Sequence, residues 1–598
     1  MCGIAGIWAL ENKEDNRKEL DLMKVAIKHR GPDSHGSWFS DNGALALGHQ
    51  RLAIIDLSPN GVQPMKLDNE FVITFNGEIY NYIELREELK VLGFSFSTDS
   101  DTEVLLKSFK AWGVDMLEKL DGMFALAIYD LNKKELFVAR DRFGEKPFFY
   151  SKFNNKLYFG SEIKALVAGG VTKEKNYNLL HNFLVNDLVE NPNDQRETFY
   201  SNIFKLKPGH FCIIKEDLEI IQRQYWEIDI TTNSNISFNE ASDKFHDLLS
   251  LSVKRRLRSD VRVGTSLSGG LDSSSIVGLV SSENEGTSTF SARFPNFKKD
   301  EGYFINLVKD KFKTDHHDII VNEESLISDL NHLIHIQDEP FQTGSIYAQY
   351  KVYEAAKKED VIVMLDGQGA DEYLAGYHKD FNLFYRELVQ KKRKNETIIE
   401  QLNTNHNFTP NTSYKEMFHA KKPKSFNYLR DHFSHLIPKK TPLGVTRDFD
   451  TNFSPRKSPF FDPSTLKEML KNEMSNQGLE KLLRFADRNS MAHSIEVRLP
   501  FLYHELVSFV MSLPSEFLLK EGWSKAILRN AVKDLLPQEI VYRKDKIGFE
   551  APHNIWSKSD ELRGMVTEAR KKLISENIIT KEYVSDWKVL MVYKSMFQ

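Results

Sequence analysis

The hydrophobic pattern of the chain changes character near Trp226, and this change limits the fold more than any other feature of the sequence. Before it, short apolar, β-branched or aromatic runs follow one another across turn-forming pairs such as Asn42-Gly43 and Asn154-Asn155. After it, strand-like and helix-like segments alternate. Strands joined by short turns are typical of antiparallel sheets, whereas strand–helix alternation is typical of a parallel sheet covered by helices. The sequence therefore predicts a multi-domain α/β protein.

The pattern also predicts where the elements and domain boundaries lie. In the first part we expect strands at residues 44–47, 71–75, 125–129, 136–139 and 156–159, and helices at 82–92 and 101–112. In the second part we expect strands at 261–267, 288–294, 317–321 and 361–365, and helices at 238–258, 273–281, 303–312 and 346–357. Residues 230–236 are polar and suit a linker, which gives domains at 2–226 and 238–598. Residues 385–442 are rich in Lys and Asn, without a clear period, and we interpret them as an insertion.

Composition excludes several classes of protein. The 598 residues carry 80 Lys and Arg against 85 Asp and Glu, so a net charge of −5 gives no general reason to expect a nucleic-acid partner. Only two cysteines, Cys2 and Cys212, are present, which rules out a disulfide-stapled scaffold and a four-cysteine zinc site. No run approaches the about 20 apolar residues of a membrane helix, and the amino end lacks the basic region of a signal peptide. We therefore expect a cytoplasmic protein.

Cys2 directly follows the initiator methionine, and this position is chemically informative. Removal of Met1 would leave Cys2 with a free α-amine, whose pKa of about 7.7–8.0 lies below that of lysine. Such an amine can act as the general base for the thiol of its own residue, without a histidine. Taken alone, a cysteine at this position would be interpreted as a small buried apolar residue. Cys212 lies in an apolar run, and we expect it to be a core thiol.

Other polar residues of the first part suit glutamine as a ligand. Asn76 and Gly77 offer an amide side chain and a backbone N–H, which can stabilise an oxyanion. Arg51 offers a guanidinium for a carboxylate, and Glu78 and Asp101 offer acids for an ammonium. Glutamine has an amide to cleave, an α-carboxylate and an α-amine, so these five residues match its functional groups.

Several segments in this part resemble the N-terminal-nucleophile glutamine amidotransferases. They are residues 2–6, 29–33, 49–56, 76–82, 101–103, 121–130, 139–150 and 161–166. The resemblance implies an αββα sandwich in which Cys2 is the nucleophile. It also implies that Asn76 and Gly77 form the oxyanion hole and that Arg51, Glu78 and Asp101 hold glutamine.

Some charged residues of this part allow a second interpretation. Arg30 and Asp33 either belong to the site or only brace it. His29, His35 and His49 could suggest a metal, but no helix places two of them four residues apart beside an acid, and we expect no metal there.

Residues 266–274 follow a predicted strand and open a predicted helix, with the sequence Ser-Leu-Ser-Gly-Gly-Leu-Asp-Ser-Ser. Paired glycines allow backbone N–H groups to approach phosphate, and a helix N-terminus adds partial positive charge. Asp272 can hold Mg²⁺. The spacing differs from that of a Walker-type ATPase loop. A bare Ser-Gly-Gly turn is often structural, but the strand–loop–helix context favours phosphate binding.

This loop resembles the pyrophosphate loop of ATP pyrophosphatases. Residues 364–372, at the end of another predicted strand, also fit this resemblance. Further segments resemble the carboxyl half of glutamine-dependent asparagine synthetases, namely 484–492, 496–502 and 544–549. The resemblance implies a parallel-sheet, HUP-like ATP-pyrophosphatase domain with Mg²⁺ at Asp272 and Asp371 and a catalytic cation at Lys546. The residues that it implies for ATP are Leu267, Ser268, Gly269, Gly270, Leu271, Asp272, Ser273, Ser274, Ala292, Asp366 and Gly367. Glu496 and Arg498 are either part of this machinery or a structural ion pair.

The chain departs from the usual family pattern at several positions. Gln368 replaces a glutamate that is a candidate acid–base group, Tyr503 replaces an aspartate, and Arg293 stands where glycine is frequent. Residues 338–341, Asp-Glu-Pro-Phe, resemble a bacterial subgroup whose acceptors are not all aspartate. These departures leave the acceptor open between aspartate and another carboxylate, such as a uronic acid, a peptide or a metabolite.

The expected reaction joins the two halves of the chain. Aspartate, ATP and glutamine would give asparagine, AMP, pyrophosphate and glutamate. Ammonia released at Cys2 would attack an acyl-adenylate. Because ammonia in bulk water is largely protonated, we expect an enclosed path between the domains, lined by neutral or apolar side chains. A sensor that binds glutamine or nucleotide without turnover is a non-enzymatic alternative. We expect small-molecule substrates, no nucleic-acid or membrane partner, and an assembly compatible with a homodimer.

Overall fold

The computed structural model describes residues 2–10, 16–232, 235–284, 286–295, 297–390, 396–406, 442–455, 460–544, 551–552, 556, 559–581 and 584–598. It contains two antiparallel six-stranded sheets and one parallel five-stranded sheet. The predicted α/β class is therefore confirmed, together with the change from antiparallel to parallel pairing. Among the described helices, none is both long and apolar enough to cross a lipid bilayer.

The strands of the two antiparallel sheets all lie in the first 224 residues. In chain order they are β1 (Gly3–Ala9), β2 (Ser34–Phe39), β3 (Leu45–Arg51), β4 (Met65–Leu67), β5 (Phe71–Ile79), β6 (Gly122–Asp130), β7 (Glu135–Arg140), β8 (Phe149–Phe153), β9 (Lys156–Gly160), β10 (Phe204–Lys205), β11 (His210–Ile214) and β12 (Ile220–Gln224). The first sheet has the order β10-β8-β9-β1-β3-β2, and the second has the order β12-β11-β7-β6-β5-β4.

The parallel sheet is built from β13 (Val263–Ser266), β14 (Ser288–Arg293), β15 (Asp315–Ile320), β16 (Val363–Leu365) and β17 (Glu496–Arg498). The helices up to residue 283 are α1 (Arg17–Ala26), α2 (Tyr82–Val91), α3 (Asp101–Trp112), α4 (Met116–Lys119), α5 (Ile163–Ala168), α6 (Tyr177–Asn186), α7 (Phe238–Arg256) and α8 (Leu271–Glu283).

Further helices follow within the described residues. They are α9 (Gly302–Phe312), α10 (Glu323–Gln337), α11 (Ile346–Lys358), α12 (Ala370–Tyr373), α13 (His378–Gln390), α14 (Glu396–His406), α15 (Arg447–Phe453), α16 (Leu466–Ser475), α17 (Leu479–Met491), α18 (His504–Ser512), α19 (Ala526–Ala531), α20 (Gln538–Val541), α21 (Asp560–Ser575) and α22 (Asp586–Met596). Most of the proposed insertion at 385–442 lies outside the described residues, apart from the end of α13 and the whole of α14.

The first domain is a four-layer αββα sandwich because its central strands are apolar on both faces. Side chains of β6 alternate between two cores, as the two-residue period of a strand requires. Those that face the opposite sheet are Ala125, Ala127 and Tyr129. Those that face α2 and α3 are Phe124, Leu126 and Ile128. On the other side, α1 and α5 cover the sheet of β1 through Leu20, Met23 and Leu166.

The parallel sheet has the order β15-β14-β13-β16-β17, so β13 comes first in the chain and lies in the middle. The order reverses between β13 and β16, and ligands of such sheets bind outside the carboxyl ends of the strands at this reversal. The loop of residues 266–274 follows β13, and residues 366–369 follow β16. β17 joins the edge of the sheet from more than a hundred residues further along the chain, and the sequence pattern did not predict it.

The two domains are joined by a buried network of charges. Both terminal nitrogens of Arg30 contact the carboxylate of Asp487 in α17, at 2.8 and 2.9 Å. Nη1 of Arg30 also donates to Glu162 at 2.8 Å, and Glu162 contacts Arg488 of α17 at 3.0 Å. Burial alone would lower the pKa of Arg30, but Asp487 and Glu162 raise it above its usual value, so the guanidinium stays charged. The sequence alone did not predict this contact.

We predict that Asp487→Ala destabilises the protein by about 3–5 kcal/mol, because it leaves the buried charge of Arg30 without its main partner. Thermal unfolding followed by circular dichroism measures the change. Glu87→Ala is the control, since Glu87 pairs with Lys90 at the surface and its removal should have little effect. Equal shifts of the melting temperature in both variants would contradict the role given to the Arg30 contact.

Candidate active sites

Cys2 directly precedes β1, which pairs with β3 and β9 in the middle of its sheet. Its nitrogen donates to Oδ1 of Asn76 in the opposite sheet at 3.1 Å. Nε of Arg30 donates to the carbonyl oxygen of Cys2 at 3.1 Å. The residue is therefore held on both sides. Burial raises the pKa of the Cys2 thiol, so a base close to the sulfur is needed to form the thiolate.

The oxyanion-hole pair of the sequence prediction lies beside this thiol. Nδ2 of Asn76 is buried and finds no hydrogen-bond partner among the described residues. Gly77 lines the same small cavity as Cys2. A Cβ at Gly77 would lie 2.1 Å from the carbonyl oxygen of Met123, so only glycine fits. The Asn76 side chain also accepts from the Cys2 nitrogen, so its unpartnered amide N–H is a donor available to a developing oxyanion near the nucleophile.

The three predicted glutamine contacts line the cavity together with Cys2 and Gly77. The guanidinium of Arg51 donates to the carbonyls of Ser58 at 2.8 Å and Ile55 at 3.4 Å, which positions it at the cavity wall. Asp101 opens α3 and accepts a hydrogen bond from the backbone N–H of Ile79 at 3.0 Å. The sequence prediction therefore brought together residues from β1, β3, β5 and α3.

Both acids of this cavity have raised pKa values, so their charged forms are disfavoured. Burial, with repulsion from Asp101, raises the pKa of Glu78 well above its usual value. Burial raises the pKa of Asp101 to about 6, and repulsion from Glu496 adds to it. A ligand ammonium between the acids would relieve both effects, because it would supply the missing opposite charge.

Arg498 connects this cavity to the second domain. Its Nη2 lies 3.6 Å from Oε2 of Glu78, and its Nε lies 2.7 Å from Oε1 of Glu496. The backbone N–H of Asp366 donates to the carbonyl of Arg498 at 3.0 Å. One residue of β17 thus touches the proposed glutamine site with its side chain and the proposed nucleotide site with its backbone. Glu496 and Arg498 form an ion pair, but Arg498 also reaches the other domain.

The remaining candidates of the first domain have structural contacts. Asp33 accepts from the backbone N–H of Ala53 at 2.8 Å, and His29 contacts Glu162 at 3.1 Å. Burial lowers the pKa of His49 to about 3, so its imidazole stays neutral. Cys212 packs between the two sheets, and burial raises the pKa of its thiol to about 12. Within the part of the chain that the structure describes, no group of three or more His, Cys, Asp or Glu could hold a metal.

A second, larger cavity of about 740 Å³ lies at the reversal of strand order in the parallel sheet. The predicted ATP residues that line it are Leu267, Ser268, Gly270, Leu271, Asp272, Ser273, Ala292, Asp366 and Gly367. Gly269 and Ser274 are not among its lining residues. Gly269 has a φ of 73° and packs against α9, where a Cβ would lie 2.8 Å from Cβ of Phe304, so its role is to shape the turn.

Internal hydrogen bonds shape the loop in front of α8. The two hydroxyl groups of Ser268 and Ser273 are 2.9 Å apart, and the backbone N–H of Ser268 donates to the Ser273 hydroxyl at 3.2 Å. Gly367 lies close to the backbone at the start of α8. A Cβ at Gly367 would lie 2.8 Å from the backbone nitrogen of Ser273. The two predicted segments therefore meet as one wall of the cavity.

Lys525 is a residue of this cavity that the sequence reasoning missed. Its ammonium lies 2.5 Å from Oδ2 of Asp272 and 2.6 Å from Oδ1 of Asp371, the two predicted metal ligands. No local motif marks it, because it follows Asp272 by 253 residues. The predicted catalytic Lys546 lies outside the described residues, although Arg543 and Lys544 just before it line the cavity.

Of the departures from the family pattern, Gln368 lines the nucleotide cavity. Its Oε1 is buried without a hydrogen-bond partner among the described residues. Arg293 is engaged by Asp300 and Asp318. Tyr503 is buried and accepts from Arg255 at 3.3 Å. Neither Arg293 nor Tyr503 is a lining residue of the cavity.

The acids of the Asp338-Glu339 pair are also turned away from the nucleotide cavity. Asp338 contacts Lys164 and Arg488, and Glu339 contacts Arg484 at 2.9 Å. Neither acid is a lining residue of that cavity. The structure therefore leaves Gln368 as the departure that faces the larger cavity.

Among the described residues, the Cys2 cavity and the nucleotide cavity share no lining residue. A third, small cavity at the domain interface has charged walls, including Arg140, Glu145 and Glu480. Between the domains, Tyr80, Met123 and Met491 form a fully buried cluster.

Comparison with known proteins agrees with this arrangement. Residues 1–226 match the glutamine amidotransferase domain family, and residues 244–587 match the asparagine synthase family. Asparagine synthetase (glutamine-hydrolyzing) 1 of Bacillus subtilis strain 168 is 31% identical, with 98% of this chain and 92% of the relative covered. Asparagine synthetase (glutamine-hydrolyzing) 3 of the same strain is 31% identical, with 91% and 86% covered. Amidase chry2 of Gibberella zeae is 28% identical, with 94% and 89% covered.

Fold, site and comparisons together define an ATP-dependent, glutamine-hydrolysing amide ligase. Within this class, the chain belongs to the family of glutamine-hydrolysing asparagine synthetases.

We predict that glutamine binding weakens as the pH falls through about 6, the raised pKa of Asp101. Protonation of Asp101 removes the charge that would hold the ligand ammonium, so below this pH the affinity should fall by up to about tenfold per unit. Calorimetric titration of glutamine into the Cys2→Ala variant, which cannot turn it over, measures the change. Asp101→Asn should bind more weakly and lose most of the pH dependence; an unaltered pH profile in this variant would contradict the assignment.

Proposed function

We propose that the protein is a glutamine-hydrolysing asparagine synthetase. It would convert aspartate, ATP, glutamine and water into asparagine, AMP, pyrophosphate and glutamate. The observation that carries this proposal is the pairing of two sites in one chain. The buried Cys2 lies near an unpartnered amide N–H and two acids whose pKa values are raised. A loop suited to binding phosphate lines a second cavity.

At the first site, removal of Met1 would free the α-amine of Cys2, which then takes the proton of its own thiol. The thiolate attacks the side-chain carbonyl of glutamine, and the oxyanion accepts hydrogen bonds from Nδ2 of Asn76 and the N–H of Gly77. The α-ammonium of Cys2 then gives its proton to the departing nitrogen, so that the C–N bond breaks, ammonia leaves and a thioester forms. Water hydrolyses the thioester and releases glutamate. Arg51 would hold the α-carboxylate, and Glu78 with Asp101 the α-ammonium.

At the second site, the acceptor carboxylate attacks the α-phosphorus of ATP, and pyrophosphate leaves. This step is needed because an ionised carboxylate has no leaving group that ammonia could displace. The loop of residues 266–274 and the N-terminus of α8 would hold the phosphates. Ammonia then displaces AMP from the acyl-adenylate and forms the amide. The sequence resemblance assigns Lys546 as a further cation for this step.

The residues at this site fit a magnesium ion. Asp272 and Asp371 come from two strand ends and converge on one cation, the ammonium of Lys525. Carboxylate oxygens together with substrate phosphates are the ligands that Mg²⁺ prefers. We propose that these two acids hold Mg²⁺, which would offset the charge on the phosphates.

A second candidate function keeps the chemistry and changes the acceptor to another carboxylate. It is favoured by Gln368, since a neutral amide faces the cavity where the family pattern has a glutamate. An amide cannot take up the proton of the attacking ammonia, so another base would be required. A sensor without turnover is less well supported, because Cys2, Asp272, Asp371 and Lys546 are all present. The two free cysteines suit a reducing cytoplasm. A homodimer stays a prediction.

The proposal predicts that aspartate stimulates the formation of AMP and pyrophosphate from ATP, with either glutamine or ammonia as the nitrogen source. Cys2→Ala should lower the glutamine-dependent rate by about a thousandfold or more, because it removes the nucleophile, and should leave the ammonia-dependent rate unchanged. Coupled pyrophosphate release and chromatography of the amide product measure both rates. Intact mass of the purified enzyme shows whether Met1 has been removed.

A matched control and a panel of acceptors sharpen this test. Cys212→Ala removes the other thiol, which lies in the core of the sandwich, and should preserve glutamine use. Stimulation by a uronic acid or a peptide carboxylate instead of aspartate would support the second function. The absence of acceptor-stimulated AMP formation with any carboxylate would contradict both.

A further inference from the structure

The ammonium of Lys525 lies between the two carboxylates that we propose as magnesium ligands. It is 2.5 Å from Oδ2 of Asp272 and 2.6 Å from Oδ1 of Asp371. The side chain of Lys525 is 7% exposed, and all three residues line the nucleotide cavity. The two acids come from different strand ends, so the lysine joins the two segments.

The surrounding backbone encloses this contact. A Cβ at Gly376 would lie 1.9 Å from Oδ1 of Asp371 and 2.8 Å from Cε of Lys525, so any larger residue would displace the pair. Lys525 itself has a φ of 52°, in the left-handed region that non-glycine residues rarely adopt, and it directly precedes α19. The chain therefore accepts an unfavourable backbone conformation where the ammonium meets the acids.

We propose that Lys525 holds the position of the divalent cation in the nucleotide-free enzyme, so that the metal binds together with the nucleotide and not before it. This inference rests on the proposed ATP site. It assigns to Lys525 a positioning role: the ammonium keeps the two carboxylates together while the cavity is empty. When ATP enters, the polyphosphate offers the ammonium a new partner, and the carboxylates become available to the metal.

Electrostatics explains why the two cations exclude each other. The side chains of Asp272 and Asp371 are 20% and 22% exposed and would repel each other without a cation, and the ammonium of Lys525 offsets this repulsion. A protonated lysine cannot be a metal ligand, and its ammonium occupies Oδ2 of Asp272 and Oδ1 of Asp371, one oxygen from each proposed ligand. Lysine suits this exchange because its compact charge sits on a flexible four-carbon stem.

The test measures binding of Mn²⁺, as a probe for Mg²⁺, to the nucleotide-free full-length enzyme by electron paramagnetic resonance. Removal of the competing ammonium in Lys525→Met should strengthen Mn²⁺ binding by about tenfold or more relative to the wild type. Lys533→Met is the matched control, since Lys533 is exposed and its ammonium contacts Asn530; its Mn²⁺ affinity should equal that of the wild type. The double variant Lys525→Met/Asp272→Asn should lose the gain, which locates the ion.

Thermal unfolding gives a second readout that needs no activity. Mn²⁺ alone should raise the melting temperature of Lys525→Met, whereas in the wild type it should do so only with an unreactive ATP analogue. If Lys525→Met does not fold, Lys525→Gln keeps a hydrogen-bond donor between the acids and takes its place. Equal Mn²⁺ affinities of wild type and Lys525 variant would overturn the inference.

The outcome is separable from that of the proposed function. The proposed function fails if ATP is never cleaved to AMP, whatever the affinity of the enzyme for Mn²⁺. The inference about Lys525 fails if the wild type binds Mn²⁺ without nucleotide as tightly as the variant, even when the enzyme makes AMP normally.

Discussion

The buried contact between Arg30 and Asp487 holds the nucleophile of the first domain against the second domain, and the rest of the arrangement depends on it. The same guanidinium donates to the carbonyl of Cys2 and to both oxygens of Asp487. A charge buried without its partner costs several kcal/mol, so the domains do not separate freely at this point. Cys2 is therefore positioned partly by a residue that belongs to the synthetase domain.

Three cations of the structure perform related tasks at different points. Arg30 joins the domains, Arg498 lies between Glu78 and the strand end at Asp366, and Lys525 joins the two loops of the nucleotide cavity. Each contacts two acids that would repel one another without it. At Arg30 the pairing is complete. At Glu78 the pKa stays raised, and this incomplete pairing suits a site that is completed by a ligand ammonium.

Much of the fold was predictable because it follows from local patterns. Apolar runs joined by short turns predicted antiparallel sheets, and the strand–helix alternation after Trp226 predicted the parallel sheet. The αββα sandwich was implied by the resemblance to the amidotransferases. The Cys2 cavity was predictable from residue types alone, since an amide, a guanidinium and two acids match the groups of glutamine. The short strand β17 was missed, because three residues carry no period and their partner strand lies far away in the chain.

Contacts between distant residues were beyond the sequence. Asp487 follows Arg30 by 457 residues, and Lys525 follows Asp272 by 253, so no spacing signals either pair. Sequence patterns also do not tell which loop residues face a cavity: Gly269 shapes the turn, whereas Gly270 lines the wall. For the same reason, Arg293 and Tyr503 stood out as departures, yet both lie away from the cavity, and only the structure singles out Gln368.

The central claim is that nitrogen released at Cys2 reaches the second cavity without mixing with the solvent. The most direct measurement supplies saturating glutamine labelled with ¹⁵N in its side-chain amide, together with excess unlabelled ammonium, and determines the ¹⁵N content of the amide product by mass spectrometry. Enclosed transfer predicts a product as rich in ¹⁵N as the glutamine. A product diluted in proportion to the ammonium in solution would contradict it.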